Sequence, residues 1–152
     1  MKKLFILCMA ALMAIACERA TDKDPRTAFV GDYNFVSTGN IDLYADSMKV
    51  ATLPMDKKGE LVISLADTAN AVWLVAEGDS TIARVSDNRL FIDPATEKRT
   101  FNNLVLNLSY TYSAATLEHD SLSMVTNVEI TATYMGRSLS GRGKVDVVAT
   151  KK

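Results

Sequence analysis

The histidine of this chain lies between two acids, in the segment Glu118-His119-Asp120. An imidazole beside carboxylates can act as a general base or help to hold a metal ion. Metal sites and catalytic triads, however, gather residues that are distant in sequence, and three neighbours on a turn rarely converge on one ion. The sequence has no second histidine, and its two cysteines, Cys8 and Cys17, both lie near the start. We therefore expect a solvated turn here, with no metal, no cofactor and no enzymatic activity.

Two carboxylates could instead perform hydrolysis, if the fold brought a suitable pair together. The first half of the chain offers Asp42, Asp46, Glu60 and Asp67. Their spacing does not single out a pair. A hydrolase is therefore the least favoured of the functions considered below.

Four aromatic residues stand in apolar or alternating segments, where side chains are expected to face an interior: Trp73, Tyr110, Tyr112 and Tyr134. In a ligand-binding barrel they would line the cavity, and the phenol groups would supply a few orienting hydrogen bonds. The alternative is that they fill the core, since a small barrel can be packed by its own side chains. We name them as candidate ligand-binding residues.

A thiol ends the apolar run at the start of the chain. Two lysines are followed by an unbroken apolar stretch over residues 4–15, which has the length of a signal-peptide core and is too short to span a bilayer. The small residues Ala14 and Ala16 lie just before Cys17. Small side chains are what a signal peptidase requires beside its scissile bond.

The segment Ala14-Ile15-Ala16-Cys17 resembles a bacterial lipobox, the signal read by lipoprotein-processing enzymes. The resemblance implies cleavage before Cys17, a thioether-linked diacylglycerol on its sulfur, and acylation of its new amino group. Glu18 follows Cys17, and in lipoproteins of this type an acid other than Asp at this position looks like a signal for sorting to the outer membrane. We therefore predict a signal peptide over residues 1–16, a lipidated polar tether over 17–28, and a membrane partner reached through the anchor on Cys17.

The composition restricts the folded part of such a lipoprotein. Removal of residues 1–16 takes away two lysines and leaves 15 basic and 18 acidic side chains, a formal net charge of −3. No basic patch of the kind that neutralises nucleic-acid phosphates is present in the sequence. With Cys8 discarded and Cys17 lipidated, the domain would have neither thiol nor disulfide, and its stability would come from its core.

Alternation of apolar and polar residues predicts strands through most of residues 29–152. Leu104–Tyr112 alternates without a break, and Ser121–Tyr134 and Ser138–Thr150 form a predicted hairpin around Met135-Gly136. Ala71–Glu77 is apolar on both faces, which predicts a central strand covered on both sides. Residues 94–103 form the longest predicted polar loop. Turn signals every 8 to 12 residues indicate an all-β domain.

The start FVGDYNFVSTGN, the mid-chain VSDNRLFI and the end YMGRSLSGRGKVDVVATKK are similar to small bacterial lipoproteins with a lipocalin-like (calycin-like) β-barrel. The strand spacing gives about eight to ten strands in an antiparallel barrel or, as the alternative, a β-sandwich, and the consecutive hairpins favour a single meander barrel over residues 29–152. The resemblance implies the same barrel. It covers the predicted domain as a pattern of hairpins and carries no site motif.

Together these features favour a non-catalytic cell-envelope lipoprotein of the outer membrane. Its barrel would hold a small apolar or amphipathic ligand. The alternative is a structural or interaction lipoprotein with a filled core, whose partner is another envelope protein. A continuous apolar cavity larger than about 300 Å³ would favour the first, and a solid core with an exposed apolar patch the second.

Overall fold

The computed structural model describes residues 23–101 and 104–152. They form one 3₁₀ turn, Pro25–Ala28, followed by twelve strands. The strands are β1 Gly31–Thr38, β2 Asn40–Ala45, β3 Met48–Pro54, β4 Lys57–Leu65, β5 Ala71–Ala76, β6 Asp79–Ser86, β7 Arg89–Ile92, β8 Ala95–Phe101, β9 Leu104–Tyr112, β10 Ala115–Glu118, β11 Ser121–Tyr134 and β12 Arg137–Lys151.

Eight of these strands close into an antiparallel ring. Its order is β12, β1, β4, β5, β6, β7, β10, β11 and back to β12. Period-2 alternation lets every strand present an apolar row to the interior, and the pairing of β12 with both β1 and β11 closes the ring. The predicted meander barrel is confirmed, and the sandwich alternative is wrong.

One end of the barrel is extended by the long β11–β12 hairpin. This hairpin pairs without a register break from Ser121↔Thr150 to Tyr134↔Arg137. Beyond the ring, β2 pairs with β12 and β9 pairs with β11, while β3 and β8 flank them on the outside. Since β3 and β8 each pair on one side only, they are the two edges of this extension. The extended end is therefore an open sheet above a closed barrel.

The other end of the barrel is closed by the segment that precedes β1. Phe29 is fully buried there, and its carbonyl accepts a hydrogen bond of 2.7 Å from the Tyr33 phenol. Arg26 lies in the 3₁₀ turn and donates from Nη1 to the carbonyls of Ala66 and Thr68, at 2.9 and 3.1 Å. These bonds hold the turn against the β4–β5 connection. We call this the closed end.

Two apolar clusters stabilise the molecule. The first fills the closed half of the barrel and includes Phe29, Tyr33, Ile63, Val72 and Leu90. The second lies under the extension, where the long hairpin meets β2, β3 and β9, and includes Ile41, Leu43, Leu106, Val128 and Ile130. The packed interior is thus divided between the two halves of the molecule.

Two glycines of β12 allow β2 to approach closely. A Cβ on Gly141 would lie 2.8 Å from the Asp42 carbonyl oxygen and 2.7 Å from Leu43 Cδ2. A Cβ on Gly143 would lie 2.9 Å from the carbonyl oxygen of Asn40. Glycine is therefore required at these inward positions by backbone proximity.

The structure corrects two of the predicted segments. Residues 95–101 of the predicted polar loop form strand β8. Its composition is polar because it is an edge strand of the extension with much of its surface in solvent. Strand β5 is covered on one side only, because a barrel has one interior: Val72 and Leu74 are buried, while Trp73 and Val75 face outward.

Candidate ligand cavity

A cavity of about 550 Å³ lies between the packed closed half of the barrel and the extension. Apolar side chains from the barrel strands form its floor. They come from six different strands: Phe35, Leu61, Leu74, Ile92, Met124 and Val147. This size is within the range of about 300–1,000 Å³ that is typical of small-molecule sites.

Charged side chains surround the mouth of the cavity, beside the β5–β6 turn. Lys57 forms an ion pair with Glu77. Asp56 accepts a hydrogen bond of 3.0 Å from the Gly39 amide. Asp79 begins β6 at the same rim. The cavity therefore has an apolar interior and a polar entrance.

Tyr110 and Tyr112 line one wall of the cavity. Their side chains continue the inward row of Leu106 and Leu108 on β9, as the alternation predicts. The two rings are stacked, with centroids 6.4 Å apart and planes inclined by 14°. Burial raises the pKa of both phenols above the ordinary value of 10.0, with a further contribution from the negative charge of Glu97.

Strand β8 is the neighbour of β9 in the same wall and places Ala95, Glu97 and Arg99 on the cavity side. The Tyr110 phenol donates a hydrogen bond to Oε1 of Glu97. Arg99 Nε lies 2.7 Å from this same oxygen. Glu97 pairs with Leu108 in the β8–β9 register, so Tyr110 is its diagonal neighbour across the ladder.

The other two aromatic candidates lie outside the cavity, and the expectation that they face the interior is wrong. Trp73 is 38% exposed on the outer face of β5. Tyr134 is 53% exposed at the tip of the long hairpin. It has the inward parity of β11, but β9 pairs with β11 only as far as Ala132, so no layer covers it. Tyr110 and Tyr112 do line the cavity. Their role in ligand binding stays a prediction.

The residues considered for catalysis are not brought together in this cavity. His119 lies on the exposed β10–β11 turn with a φ of 56°, at the closed end. Asp42, Asp46, Glu60 and Asp67 are absent from the cavity lining. Within residues 23–101 and 104–152, no group of three or more histidine, cysteine or acidic side chains is arranged to hold a metal ion.

Sequence reasoning missed the charged residues of the mouth. Glu97 and Arg99 fall in the predicted polar loop over residues 94–103, and Glu77 ends the predicted strand Ala71–Glu77, without a predicted role. A pattern of alternating acidic and basic residues, Glu97-Lys98-Arg99, could have indicated a strand with one face toward a site. Their approach to Tyr110, however, depends on the β8–β9 pairing, which is tertiary information.

Cys17 and the predicted signal peptide lie outside the described residues. In the part of the chain that is described, no helix has the length and apolarity to cross a membrane.

Comparisons with known proteins assign neither a family nor a function to this chain. No family model, curated protein or solved structure matches this chain. The closed eight-stranded antiparallel barrel is nevertheless consistent with the lipocalin-like barrel that the sequence resembles.

Proposed function

We propose that this protein is a cell-envelope lipoprotein whose barrel binds a small apolar or amphipathic ligand without chemical conversion. The observation that supports the proposal is the cavity of about 550 Å³, with its apolar floor and polar mouth. An apolar pocket with a few well-placed polar groups is the usual form of a small-molecule site.

The cavity also favours binding over the filled-core alternative. The first apolar cluster packs the closed half of the barrel, and the floor of the cavity begins where this cluster ends, at Leu74. A structural or interaction lipoprotein would not need this space. That alternative is favoured by a different feature, the apolar outer face of β4 to β7, which carries Val62, Trp73, Val75, Ile82 and Phe91.

A non-catalytic role is supported by the positions of the candidate groups. His119 lies at the closed end, and the cavity opens toward the extension. A general base must come within hydrogen-bond distance of the proton that it removes. His119 in this position does not reach a ligand in the cavity.

The anchor and the cavity would lie at opposite ends of the molecule. The described chain begins at Lys23, beside the 3₁₀ turn of the closed end. Cys17 precedes Lys23 by six residues, so the lipid would attach within about 20 Å of that end. We propose localisation in the outer membrane with the mouth pointing away from the anchored surface.

Lipidation is tested by a Cys17→Ala variant expressed in a Gram-negative host. The variant should accumulate as an unprocessed precursor and fail to incorporate a palmitate analogue. A Cys8→Ala variant is the matched control and should mature normally. Normal maturation and labelling of Cys17→Ala would overturn the lipoprotein assignment.

Ligand binding is tested by native mass spectrometry of the protein isolated from its own host envelope. We expect an adduct with the mass of a small amphiphile that disappears on denaturation. The proposal would be contradicted by a protein that carries no adduct and binds none of three added amphiphiles, octylammonium, 1-octanol and octanoate.

A further inference from the structure

We infer that the cavity selects an amphiphile with a cationic head group, such as a protonated primary amine, and an apolar tail. This inference rests on the proposed binding function and names the chemical class of its ligand. It is carried by the cavity as a whole: the apolar floor receives the tail, and the charges of the mouth choose the head group.

The mouth carries an excess of negative charge. Five acidic residues belong to the lining: Asp56, Glu77, Asp79, Asp93 and Glu97. Two basic side chains belong to it, Lys57 and Arg99. A concave site lined mainly by one sign of charge concentrates ligands of the opposite sign.

Both basic side chains of the lining are already paired. Lys57 contacts Glu77, and Arg99 contacts Glu97 at 2.7 Å. An anionic head group would have to displace a carboxylate from one of these pairs. Each pair also offsets the charge of its own carboxylate, and Arg84, which lies outside the lining, contacts Asp93 at 3.1 Å. The surplus negative charge of the mouth is therefore that of Asp56 and Asp79.

Glu97 and the two tyrosines offer a cation a specific position. The hydrogen bond from the Tyr110 phenol and the 2.7 Å contact with Arg99 Nε both fall on Oε1 of Glu97. The Glu97 side chain is 37% exposed, so a ligand can reach its carboxylate. The stacked rings of Tyr110 and Tyr112 add negative π faces beside it.

A neutral amphiphile would gain the apolar contacts of the floor and none of this electrostatic attraction. An anionic one would meet the surplus carboxylates. The expected order of affinity is therefore cationic, then neutral, then anionic.

The test is isothermal titration calorimetry of the purified protein with three straight-chain probes of eight carbon atoms each. Octylammonium, 1-octanol and octanoate differ only in the head group and its charge. At pH 7 and low salt we expect octylammonium to bind about tenfold more tightly than 1-octanol. This preference should shrink when the ionic strength is raised, because the mouth is in contact with solvent.

A Glu97→Gln variant tests whether the preference for a cationic head group depends on the charge of Glu97. The amide keeps the size of the side chain and an acceptor for the Tyr110 phenol, but it removes the charge and leaves Arg99 without its partner. Octylammonium should lose most of its advantage, and octanoate should bind more tightly than before. Glu129→Gln is the matched control, because Glu129 lies outside the cavity lining and pairs with Arg142.

The outcomes separate the two proposals. Equal affinities for the three probes, tightest binding of octanoate, or an unchanged preference in Glu97→Gln would overturn the cationic head group while leaving a binding function in place. Failure of all three probes to bind would contradict the proposed function itself.

Discussion

Tyr110 donates its phenolic hydrogen bond to the carboxylate of Glu97 across the β8–β9 ladder. The interaction joins a residue of a regular apolar strand to a residue of a polar edge strand. It also lies at the wall of the cavity, where burial and a negative neighbour both act against ionisation of the phenol.

This arrangement predicts a loss of stability in alkali that depends on Tyr110. Its pKa is raised in the folded state, chiefly by burial and then by Glu97. The contribution to stability is present below the ordinary pKa of 10.0 and is lost as pH rises above it, because the unfolded phenol ionises first. The free energy of unfolding, measured by urea titration between pH 8 and 11, should fall less steeply in Tyr110→Phe.

Tyr33 and Tyr112 also have raised pKa values, so the variant should reduce the alkaline slope without abolishing it. Tyr134→Phe, which alters an exposed phenol at the hairpin tip, is the matched control. An identical slope in Tyr110→Phe and wild-type protein would contradict the assigned environment.

Filling the cavity should abolish ligand uptake without unfolding the barrel. Val147 faces the cavity and Val148, its neighbour, is 44% exposed on the outer face of β12. A Val147→Phe variant adds a ring to the floor and should weaken binding of octylammonium at least about tenfold. Val148→Phe makes the same chemical change on the other face and should bind normally. Calorimetry checks both, and equal effects of the two variants would count against this cavity as the site.

A side chain at Gly141 should destabilise the extension. The added Cβ would stand 2.8 Å from the carbonyl oxygen of Asp42, a backbone atom that cannot rotate away. We expect Gly141→Ala to lower the free energy of unfolding by about 1–3 kcal/mol. Ser140→Ala, on the exposed face beside it, should change it little. Urea denaturation with an unchanged m-value is the measurement, and a wild-type midpoint for Gly141→Ala would refute the close approach.

Loss of the Arg26 side chain should loosen the closed end. Its Nη1 group is bonded to the Ala66 and Thr68 carbonyls, which hold the 3₁₀ turn against the barrel. In Arg26→Gln, amide exchange in residues 23–30 should become roughly tenfold faster. Arg137→Gln removes an exposed guanidinium at the opposite end and serves as the control. Hydrogen-exchange mass spectrometry checks this, and unchanged protection would assign the closure to Phe29 alone.

The consecutive hairpins and the family resemblance favoured a barrel over a sandwich. Alternation predicted its strands, because alternation is a local property of each strand. It also predicted the inward direction of Tyr110 and Tyr112, which extend the row of Leu106 and Leu108. It failed for Trp73, because in a strand that is apolar on both faces the pattern does not show which set of side chains faces the core. It failed for Tyr134 because coverage depends on how far a neighbouring strand extends. The charged residues of the mouth could not be predicted, because their position depends on the pairing of β8 with β9. The polar composition of β8, an edge strand, is typical of a loop.

The ladder that closes the ring joins β1 to β12, with Tyr33 opposite Lys151. The first and last strands must therefore find each other across nearly the whole chain, and such non-local closure is slow. Val145 and Val147 of β12 also form part of the cavity. The binding site is thus complete only when the first and last strands have paired, and a ligand that occupies it would stabilise the closed ring.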